Sequence, residues 1–364
     1  MLELLRRVSD NIRGRGEAAI TIPIFDGALK PNSLLEDASI LDEFEAPEDL
    51  ASDGRTIYLA DGGRILSQVN GGEWKVTATL ESPITAMGCM PHGGLAVALD
   101  GKEVRILGGP FEGRSWKTVG GKPFNAVNGV SVRQDGSLAV SDGSAEYPYR
   151  QWSHDVMTKG RTGRVVLLSP PDGGAKVLAS GLSYAFGVLA SGGTIWFSES
   201  WKHRVVKLDD KGWATSIVVD HLPGYPCRLS PASDGGAWLS VFAGRTQLIE
   251  FVLREPTYRK RMVAEVDPKY WIAPALSSGR TFLEPLQGAG VKMRGVLKPW
   301  APPRSYGLVI KLSAAGLPQY SFQSRLGGRN HGVVATAECD GFLFVLSKGS
   351  GRVLKMKVPA QGGI

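Results

Sequence analysis

Cysteine is scarce in this 364-residue chain, which has only Cys89, Cys227 and Cys339. No pair has the CxxC spacing, and an odd number of cysteines gives no disulfide framework. Free thiols suit a reducing compartment, so we expect a cytoplasmic location. No apolar run approaches the ~18 residues that a membrane-spanning helix needs. The N-terminus, charged from Glu3, lacks the apolar core of a signal peptide. We therefore expect no membrane span and no secretory leader.

A nucleic-acid-binding motif is also missing, although the net charge is +7. Lysine and arginine are scattered, and we interpret the densest runs, over residues 4–16 and 254–266, as solvated helix faces. We therefore expect a small-molecule ligand and no nucleic-acid partner. Glycine and proline are abundant, with 47 and 22 residues, and the chain is 43% hydrophobic. This composition predicts a globular protein with many turns and short strands.

One pattern recurs six times: a glycine-containing turn, an alternating strand, a second turn and another strand. The copies cover residues 52–69, 91–107, 134–144 with 163–168, 191–208, 233–251 and 339–358. Period-two alternation predicts two antiparallel strands in each copy. Repeats of roughly 40 to 50 residues with this content are typical of propeller blades. A pair of β-sandwiches is the alternative.

The sequence thus predicts an all-β fold, a single six-bladed β-propeller over residues 19–364. An N-terminal helical extension is expected over residues 1–18. Residues 19–25 are expected to form a strand that closes the ring beside the last blade. Two insertions interrupt the repeats, over residues 144–162 in the third blade and over residues 255–305. We expect the second to be helical, then Pro-rich and extended, and to lie between blades five and six.

The chemistry of such a ring is expected in its central channel, where the innermost strand of each blade begins. Counting back about seven residues from each repeat's turn selects one or two residues per blade. They are Glu48 with Asp49, Thr85, Asn128, Phe186, Cys227 with Arg228, and Val333 or Val334, just after Asn330 and His331. A buried arginine needs a partner. We therefore expect at least one of Cys227 and Arg228 to face the channel, and Arg228 to pair with Glu48 or Asp49.

Several segments carry a resemblance to a known family. They are APEDLA, LAVSDGSAEY, TGRVVLLSP, GLSYAFGVLASGGTIWFSESWKHRVVKL, LPGYPCRL with SDGGAWLSV, and RSYGLVIKL. In order and spacing they resemble the strictosidine synthase-like branch of the six-bladed propeller superfamily. That superfamily also holds the gluconolactonase/SMP-30 proteins and the paraoxonases. The resemblance implies the same fold and a site in the channel.

The resemblance also implies a divalent cation, usually calcium, held by Glu, Asn and Asp side chains at the strand heads. Glu48 and Asn128 match two of these ligands. Phe186 stands where a further asparagine is expected, Cys227 where the aspartate is, and Arg228 where its neighbouring asparagine is. Because calcium takes six to eight oxygen ligands, we expect no cofactor, and the hypothesis is that Arg228 takes the cation's place. Calcium bound through Glu48 and Asn128 is the alternative.

The plant synthases of this family use a glutamate of the sixth blade for a Pictet–Spengler condensation. The resemblance places that position at about Val334, while Glu338 matches a different acidic residue. We therefore do not expect strictosidine synthase activity.

The expected function is hydrolysis of a lactone or ester in the channel, without a metal. The catalytic candidates are Glu48 as general base or charged anchor, Asn128 and Arg228 as polarising groups, and His331 as acid or base. The substrate-binding candidates are Asp49, Thr85, Tyr147, Trp152, His154, Phe186 and Cys227.

Three alternatives to this function stay open. A thiolate of Cys227 is an alternative nucleophile. A non-catalytic propeller would bind a small molecule between the aromatic insertion and the segment around Trp300. A protein–protein platform would expose a large apolar patch.

Overall fold

The computed structural model describes residues 22–359 except 70, 210–211, 213–214, 282, 286–290, 294–295 and 299–304, and in it six four-stranded antiparallel sheets form a closed ring. The innermost strands of successive sheets are neighbours all the way round, and the sixth meets the first. The predicted all-β six-bladed propeller is thus confirmed. The expected extension over residues 1–18 and the expected pocket residue Trp300 lie outside the described residues.

The first three blades use the following strands, from the channel outward. The strand that precedes them is β1 (Ser39–Glu43). Blade one is β2 (Pro47–Ser52), β3 (Thr56–Asp61), β4 (Arg64–Val69) and β5 (Lys75–Thr79). Blade two is β6 (Ile84–Cys89), β7 (Leu95–Leu99), β8 (Glu103–Leu107) and β9 (Ser115–Trp116), followed by a ribbon of β10 (Thr118–Val119) and β11 (Lys122–Pro123). Blade three is β12 (Val127–Val132), β13 (Leu138–Asp142), β14 (Gly163–Ser169) and β15 (Gly174–Leu182).

The other three blades follow the same plan. Blade four is β16 (Ala185–Ser191), β17 (Thr194–Glu199), β18 (Arg204–Asp209) and β19 (Thr215–Val219). Blade five begins with β20 (Gly224–Pro231) and β21 (Ala237–Gly244). After the paired strands β22 (Val291–Met293) and β23 (Val296–Lys298), it ends with β24 (Leu308–Leu312) and β25 (Pro318–Gln323). Blade six is β26 (Val333–Cys339), β27 (Phe342–Ser347), β28 (Arg352–Lys357) and β1.

The strand that closes the ring differs from the expectation. β1 pairs with β28, whereas residues 22–26 form no strand. A 3-10 turn over Gly27–Leu29 follows directly, and Phe25 packs edge-on against Tyr306, with 5.7 Å between ring centroids. This segment is therefore held by side-chain packing on blade five, and the pairing strand comes some fifteen residues later.

Two insertions rise from the ring. Between β13 and β14 the chain forms a 3-10 turn, Tyr149–Gln151, and helix α1, Trp152–Thr158. Between β21 and β24 it forms α2, Gln247–Arg254, α3, Pro256–Glu265, and a 3-10 turn, Pro268–Tyr270.

The second insertion does not lie where the sequence suggested. It interrupts blade five, since β24 pairs with β21. Residues 247–251, expected as the second strand of that repeat, begin α2 instead. The Thr246 side chain caps this helix by accepting the Ile249 backbone N–H at 3.2 Å. The spacing of its apolar residues buries Ile249 and Val252 on one helix face.

Each inner strand has a β-bulge near its head. The residues left out of the pairing with the second strand are Glu48, Thr85, Asn128, Phe186 with Gly187, Cys227 with Arg228, and Val334. A residue in a bulge leaves the hydrogen-bond ladder, and its side chain and backbone carbonyl point in a new direction. Six of these eight residues, namely Glu48, Thr85, Asn128, Phe186, Cys227 and Val334, present a backbone carbonyl to a donor outside the ladder.

A repeated ion pair joins the second and third strands of three blades. Asp142, which ends β13, pairs with Arg164 of β14 at 3.0 Å and accepts the Ala126 backbone N–H at 2.8 Å. Asp61 with Arg64, and Glu199 with Arg204, have the same arrangement. These carboxylates fix the loop that enters each inner strand.

No helix among the residues described is long and apolar enough to cross a membrane.

All three cysteines are free thiols, in line with the absence of a disulfide framework. The cytoplasmic location stays a prediction.

Candidate functional site

The Arg228 guanidinium lies where the six bulges meet. Its Nε donates to the Asn128 carbonyl at 2.8 Å, and its Nη1 donates to the Glu48 carbonyl at 2.9 Å. Its Nη2 donates to the Thr85 carbonyl at 2.6 Å, and Val334 adds a longer contact of 3.5 Å to Nη1. One side chain of blade five therefore binds the bulge carbonyls of blades one, two, three and six.

Two carboxylates and one ring complete the surroundings of this buried cation. Arg228 Nη2 is 3.6 Å from Glu48 Oε1, and Arg228 Nε is 3.3 Å from Asp49 Oδ1. The guanidinium also lies over the Phe186 ring, 5.4 Å from its centroid. Arg228 thus faces the channel and has both of the acidic partners that the sequence suggested.

The remaining two bulge carbonyls are bound by serine hydroxyls. Ser141 Oγ donates to the Phe186 carbonyl and Ser198 Oγ to the Cys227 carbonyl, each at 2.7 Å. Each of these six carbonyls therefore has a donor, and Arg228 supplies four of the six contacts.

The residues at the channel centre do not fit a calcium ion. Calcium needs several oxygen ligands around an open position, and here the Arg228 guanidinium fills the space on which the carbonyls converge. The side chain of Glu48 is engaged by two cations, and Asn128 presents its carbonyl to Arg228. Within the described part of the chain, no group of three or more His, Cys, Asp or Glu residues is arranged to hold a metal.

Above Arg228, at the strand heads, lies a narrow cavity of about 20 Å³, which we call the upper pocket. It is lined by three strand-head residues, Glu48, Asn128 and Phe186, and by Val334. The other lining residues are Tyr149, Trp152, Tyr184, Phe242, Leu276 and Lys348. The pocket has the volume of about one water molecule, and the two insertions supply Tyr149, Trp152 and Leu276 to its wall.

Polar groups in the upper pocket combine a carboxylate, an ammonium and an amide. Lys348 Nζ is 2.5 Å from Glu48 Oε2. The Asn128 Nδ2 and the Tyr184 hydroxyl are buried and face each other, and among the described protein groups neither has another hydrogen-bond partner. Burial raises the pKa of Tyr184, so its hydroxyl stays protonated. Buried polar groups that have only each other as protein partners favour a bound molecule that completes their hydrogen bonds.

Below Arg228 the channel widens into a cavity of about 300 Å³, the lower cavity, lined by the later residues of the inner strands. Asp49 lies there and accepts the backbone N–H groups of Leu50 and Met87, each at 2.9 Å. Burial raises the pKa of Asp49 to about 6, although the nearby Arg228 charge opposes that shift. Asp49 is therefore separated from the upper pocket by the guanidinium.

The structure does not bring every predicted residue to the upper pocket. His331 lies between blades five and six, where Nδ1 is 2.9 Å from Ser305 Oγ and Nε2 is 3.0 Å from the Arg325 carbonyl. Both ring nitrogens are engaged, and burial lowers the pKa of His331. His154 and Tyr147 stack on each other in the first insertion, with 5.8 Å between ring centroids, and neither lines the pocket.

Thr85 and Cys227 also lie outside both cavities. The Thr85 hydroxyl donates to the Val127 carbonyl at 2.7 Å, and only its carbonyl reaches Arg228. Cys227 is fully buried with its Sγ 3.3 Å from the Val333 carbonyl. Burial raises the pKa of Cys227 to about 12, so it is a protonated core thiol and not a nucleophile.

Sequence reasoning missed Lys348, Tyr184 and Phe242. Lys348 follows β27 and reaches the pocket because the sixth blade adjoins the first. Tyr184 precedes β16 by one residue and has a positive φ of 60°. Tyr149 was not among the candidates either, although it lies in the insertion over residues 144–162, between the candidates Tyr147 and Trp152.

Comparisons with known proteins agree with this fold. The family model described as "Strictosidine synthase" matches residues 128–212. The chain is 26% identical over 270 residues to the adipocyte plasma membrane-associated protein of Salmo salar, covering 65% of each chain. It is 28% identical over 182 residues to the strictosidine synthase-like protein 6 of Arabidopsis thaliana, covering 50% of this chain and 46% of that protein. These alignments span less than two thirds of the relatives' own lengths.

Solved structures extend the likeness to the whole ring. A gluconolactonase from Xanthomonas campestris has a TM-score of 0.56 at 14% identity, with 90% of this chain and 92% of that chain covered. A calcium-binding protein, regucalcin, from Agrobacterium tumefaciens has a TM-score of 0.52 at 11% identity, covering 88% and 92%. The chain is therefore a six-bladed propeller that is similar in sequence to strictosidine synthase-like proteins and has the fold of the gluconolactonase and regucalcin propellers. The resemblance read from the sequence is confirmed.

Proposed function

We propose that this propeller hydrolyses small lactones or esters in the upper pocket without a metal. The observation that carries the proposal is the Glu48–Lys348 pair beside the buried Asn128 amide, which has no partner among the described protein groups except the Tyr184 hydroxyl. Glu48 can then accept a proton. Lys348 and Asn128 lie beside it as hydrogen-bond donors that can stabilise a developing negative charge on the substrate.

The chemistry assigns one role to each group. Glu48 takes a proton from the attacking water, whose oxygen forms a bond to the substrate carbonyl carbon. Lys348 and Asn128 donate to the oxyanion that develops. The bond to the leaving oxygen then breaks, and the proton on Glu48 passes to that oxygen, which gives a carboxylic acid and an alcohol. Arg228 takes no part as a donor to the substrate, because backbone carbonyls engage its Nε, Nη1 and Nη2.

The walls of the upper pocket favour a flat, apolar acyl group. Tyr149, Trp152, Phe186 and Phe242 surround the polar groups, and Trp152 meets Phe242 edge-on with 5.2 Å between ring centroids. Since the cavity holds about one water molecule, a substrate enters only if the insertion residues Trp152 and Leu276 move aside.

A panel of lactones and aryl esters, assayed with a chelator present, tests the proposal. We expect turnover by the unmodified chain, and a loss of about 10²-fold or more in kcat/KM for Glu48→Gln, the range typical of a general base. Glu43→Gln is the matched control, because the Glu43 side chain is 61% exposed and pairs with Arg352. Unchanged turnover in a folded Glu48→Gln variant would refute the role of Glu48.

A non-catalytic binding propeller is the second candidate, and the small volume of the upper pocket favours it. It predicts saturable binding of an aromatic acid or ester, with no turnover on any member of the panel. Calorimetry with the same compounds distinguishes the two functions, since a binder gives constant heat per injection until saturation and no product.

A further inference from the structure

The bulges of the inner strands create a ring of carbonyl oxygens that point to one centre. Such a ring is a feature that selects cations, because each oxygen presents its negative end to the same point. Here four oxygens, of Glu48, Thr85, Asn128 and Val334, converge on Arg228, and two carboxylates stand beside them.

We infer that this ring is a cation-binding site whose resident cation is the chain's own guanidinium, and that the ring selects a planar guanidinium over a metal ion. The donors match the acceptors one by one. Nε, Nη1 and Nη2 each meet the carbonyl of a different blade at 2.6–2.9 Å. A guanidinium presents its five N–H groups in a fixed plane, which a spherical ion or an ammonium does not.

Because this ring of carbonyls is buried, the folded protein needs a cation at its centre. Arg228 is 6% exposed, and the side chains of Glu48 and Asp49 are 13% and 4% exposed. Without the guanidinium, four buried carbonyls would lose the donor they have here, Glu48 would keep only Lys348, and Asp49 would keep only the backbone N–H groups of Leu50 and Met87. Such a loss of partners strongly destabilises a fold. The Arg228 guanidinium also links blade five to blades one, two, three and six through these hydrogen bonds, at the centre of the channel.

Chemical rescue tests the inference. Arg228→Ala removes the side chain beyond Cβ and leaves a space with the shape of ethylguanidinium. Thermal unfolding of this variant is measured against rising ethylguanidinium, with N-ethylurea as a planar neutral probe, ethylammonium as a non-planar cation and calcium chloride as the metal. We expect a lowered Tm that only ethylguanidinium raises saturably, because a ligand that binds only the folded state stabilises it.

Two matched proteins show whether the rescue is specific. In the unmodified chain the Arg228 guanidinium already occupies the ring. Arg352→Ala instead removes an arginine that pairs with the exposed Glu43. Neither should gain Tm from ethylguanidinium at the concentrations that rescue Arg228→Ala. An equal effect of N-ethylurea, the absence of any rescue, or a stronger effect of calcium would overturn the inference.

A second measurement keeps the inference testable where Arg228→Ala does not fold. Calcium is titrated into the unmodified, chelator-washed chain by calorimetry, and elemental analysis gives its metal content. We expect no stoichiometric calcium and no loss of Tm in chelator, whereas one calcium per chain would overturn the assignment. Neither readout uses turnover, so this result stands apart from the outcome of the esterase panel.

Discussion

Adjacent residues of β2 face two different environments. Glu48 points into the upper pocket, between the Lys348 ammonium and Arg228. Asp49 points into the lower cavity, where backbone N–H groups bind both of its oxygens. The bulge at Glu48 and the alternation of side chains along a strand separate the two carboxylates. Only Glu48 is therefore placed to act on a molecule in the upper pocket.

A buried histidine should make the fold sensitive to acid. His203 Nδ1 donates to the Gly224 carbonyl at 3.1 Å, and its Nε2 is 3.7 Å from Glu250. Burial lowers the pKa of His203 to about 4, while an unfolded histidine has a pKa of about 6.5. The unfolded state therefore binds more protons between these values, so stability is full above about pH 6.5 and falls as the pH drops toward 4.

Denaturant unfolding at several pH values measures this dependence. His203 contributes a loss on the order of 3 kcal/mol across the window, and His203→Gln should remove that part of the slope. His221→Gln is the control, because the His221 side chain is 72% exposed. His331, whose pKa is also lowered by burial, leaves a residual slope in both variants. Equal slopes for the unmodified chain and His203→Gln would contradict the prediction.

Among the individual residues of the site, the sequence predicted those at the strand heads but not all of their partners. Counting back from each repeat's turn found Glu48, Asn128 and Phe186, because the repeat fixes the register of each inner strand. It did not find Lys348, since that residue reaches Glu48 only through the contact between the last blade and the first. Contacts between residues 300 positions apart leave no local pattern in the chain.

The inner strands depend on glycine where neighbouring blades approach closely. Gly187 lies in the bulge of β16, and a Cβ built there would be 2.3 Å from the Cys227 carbonyl oxygen and 2.5 Å from Arg228 Cα. Those atoms belong to backbone that cannot move without shifting blade five. A side chain at this position would therefore displace the strand that carries the channel guanidinium.

Gly187→Ala should destabilise the fold by about 1–3 kcal/mol, the usual range for overpacking. Gly193→Ala is its control, because a Cβ there meets nothing within 4 Å. The change at Gly193 should stay within about 0.5 kcal/mol. Chemical denaturation of both variants measures the difference, and a Gly187→Ala protein as stable as Gly193→Ala would show that blades four and five are less closely packed than described.

Local patterns predicted the strands well but failed at one helix. Residues 247–251 follow the first strand of their repeat, at the position where the other repeats have a second strand, and this position predicted a hairpin. The apolar residues Leu248, Ile249, Phe251 and Val252 instead follow the spacing of a helix face, and Thr246 caps its start. Five residues are too few to distinguish the two-residue period of a strand from the 3.6-residue period of a helix. The tertiary packing of α2 decides between the two structures.

Closure of the ring is a property of the whole molecule, because it joins the two ends of the propeller. β1 completes blade six by pairing with β28, and the segment before it crosses blades five and six. Leu35, in that segment, is fully buried, and its backbone N–H donates to the Gln323 carbonyl at 3.0 Å. The sequence predicted such a closing segment but placed its strand at residues 19–25, since period-two alternation there is stronger than at residues 39–43.

Leu35 should therefore hold the two ends of the ring together. It packs in a cluster with Trp238 and Phe322 of blade five and Val345 of blade six. Leu35→Ala should cost about 2–5 kcal/mol, as for other buried leucines whose space the core cannot refill. Leu34→Ala, at a 36% exposed neighbour, should cost far less. If denaturation gave similar losses for both variants, the segment would only cover the ring. A large loss confined to Leu35→Ala means that the packing of Leu35 between blades five and six holds this segment on the ring.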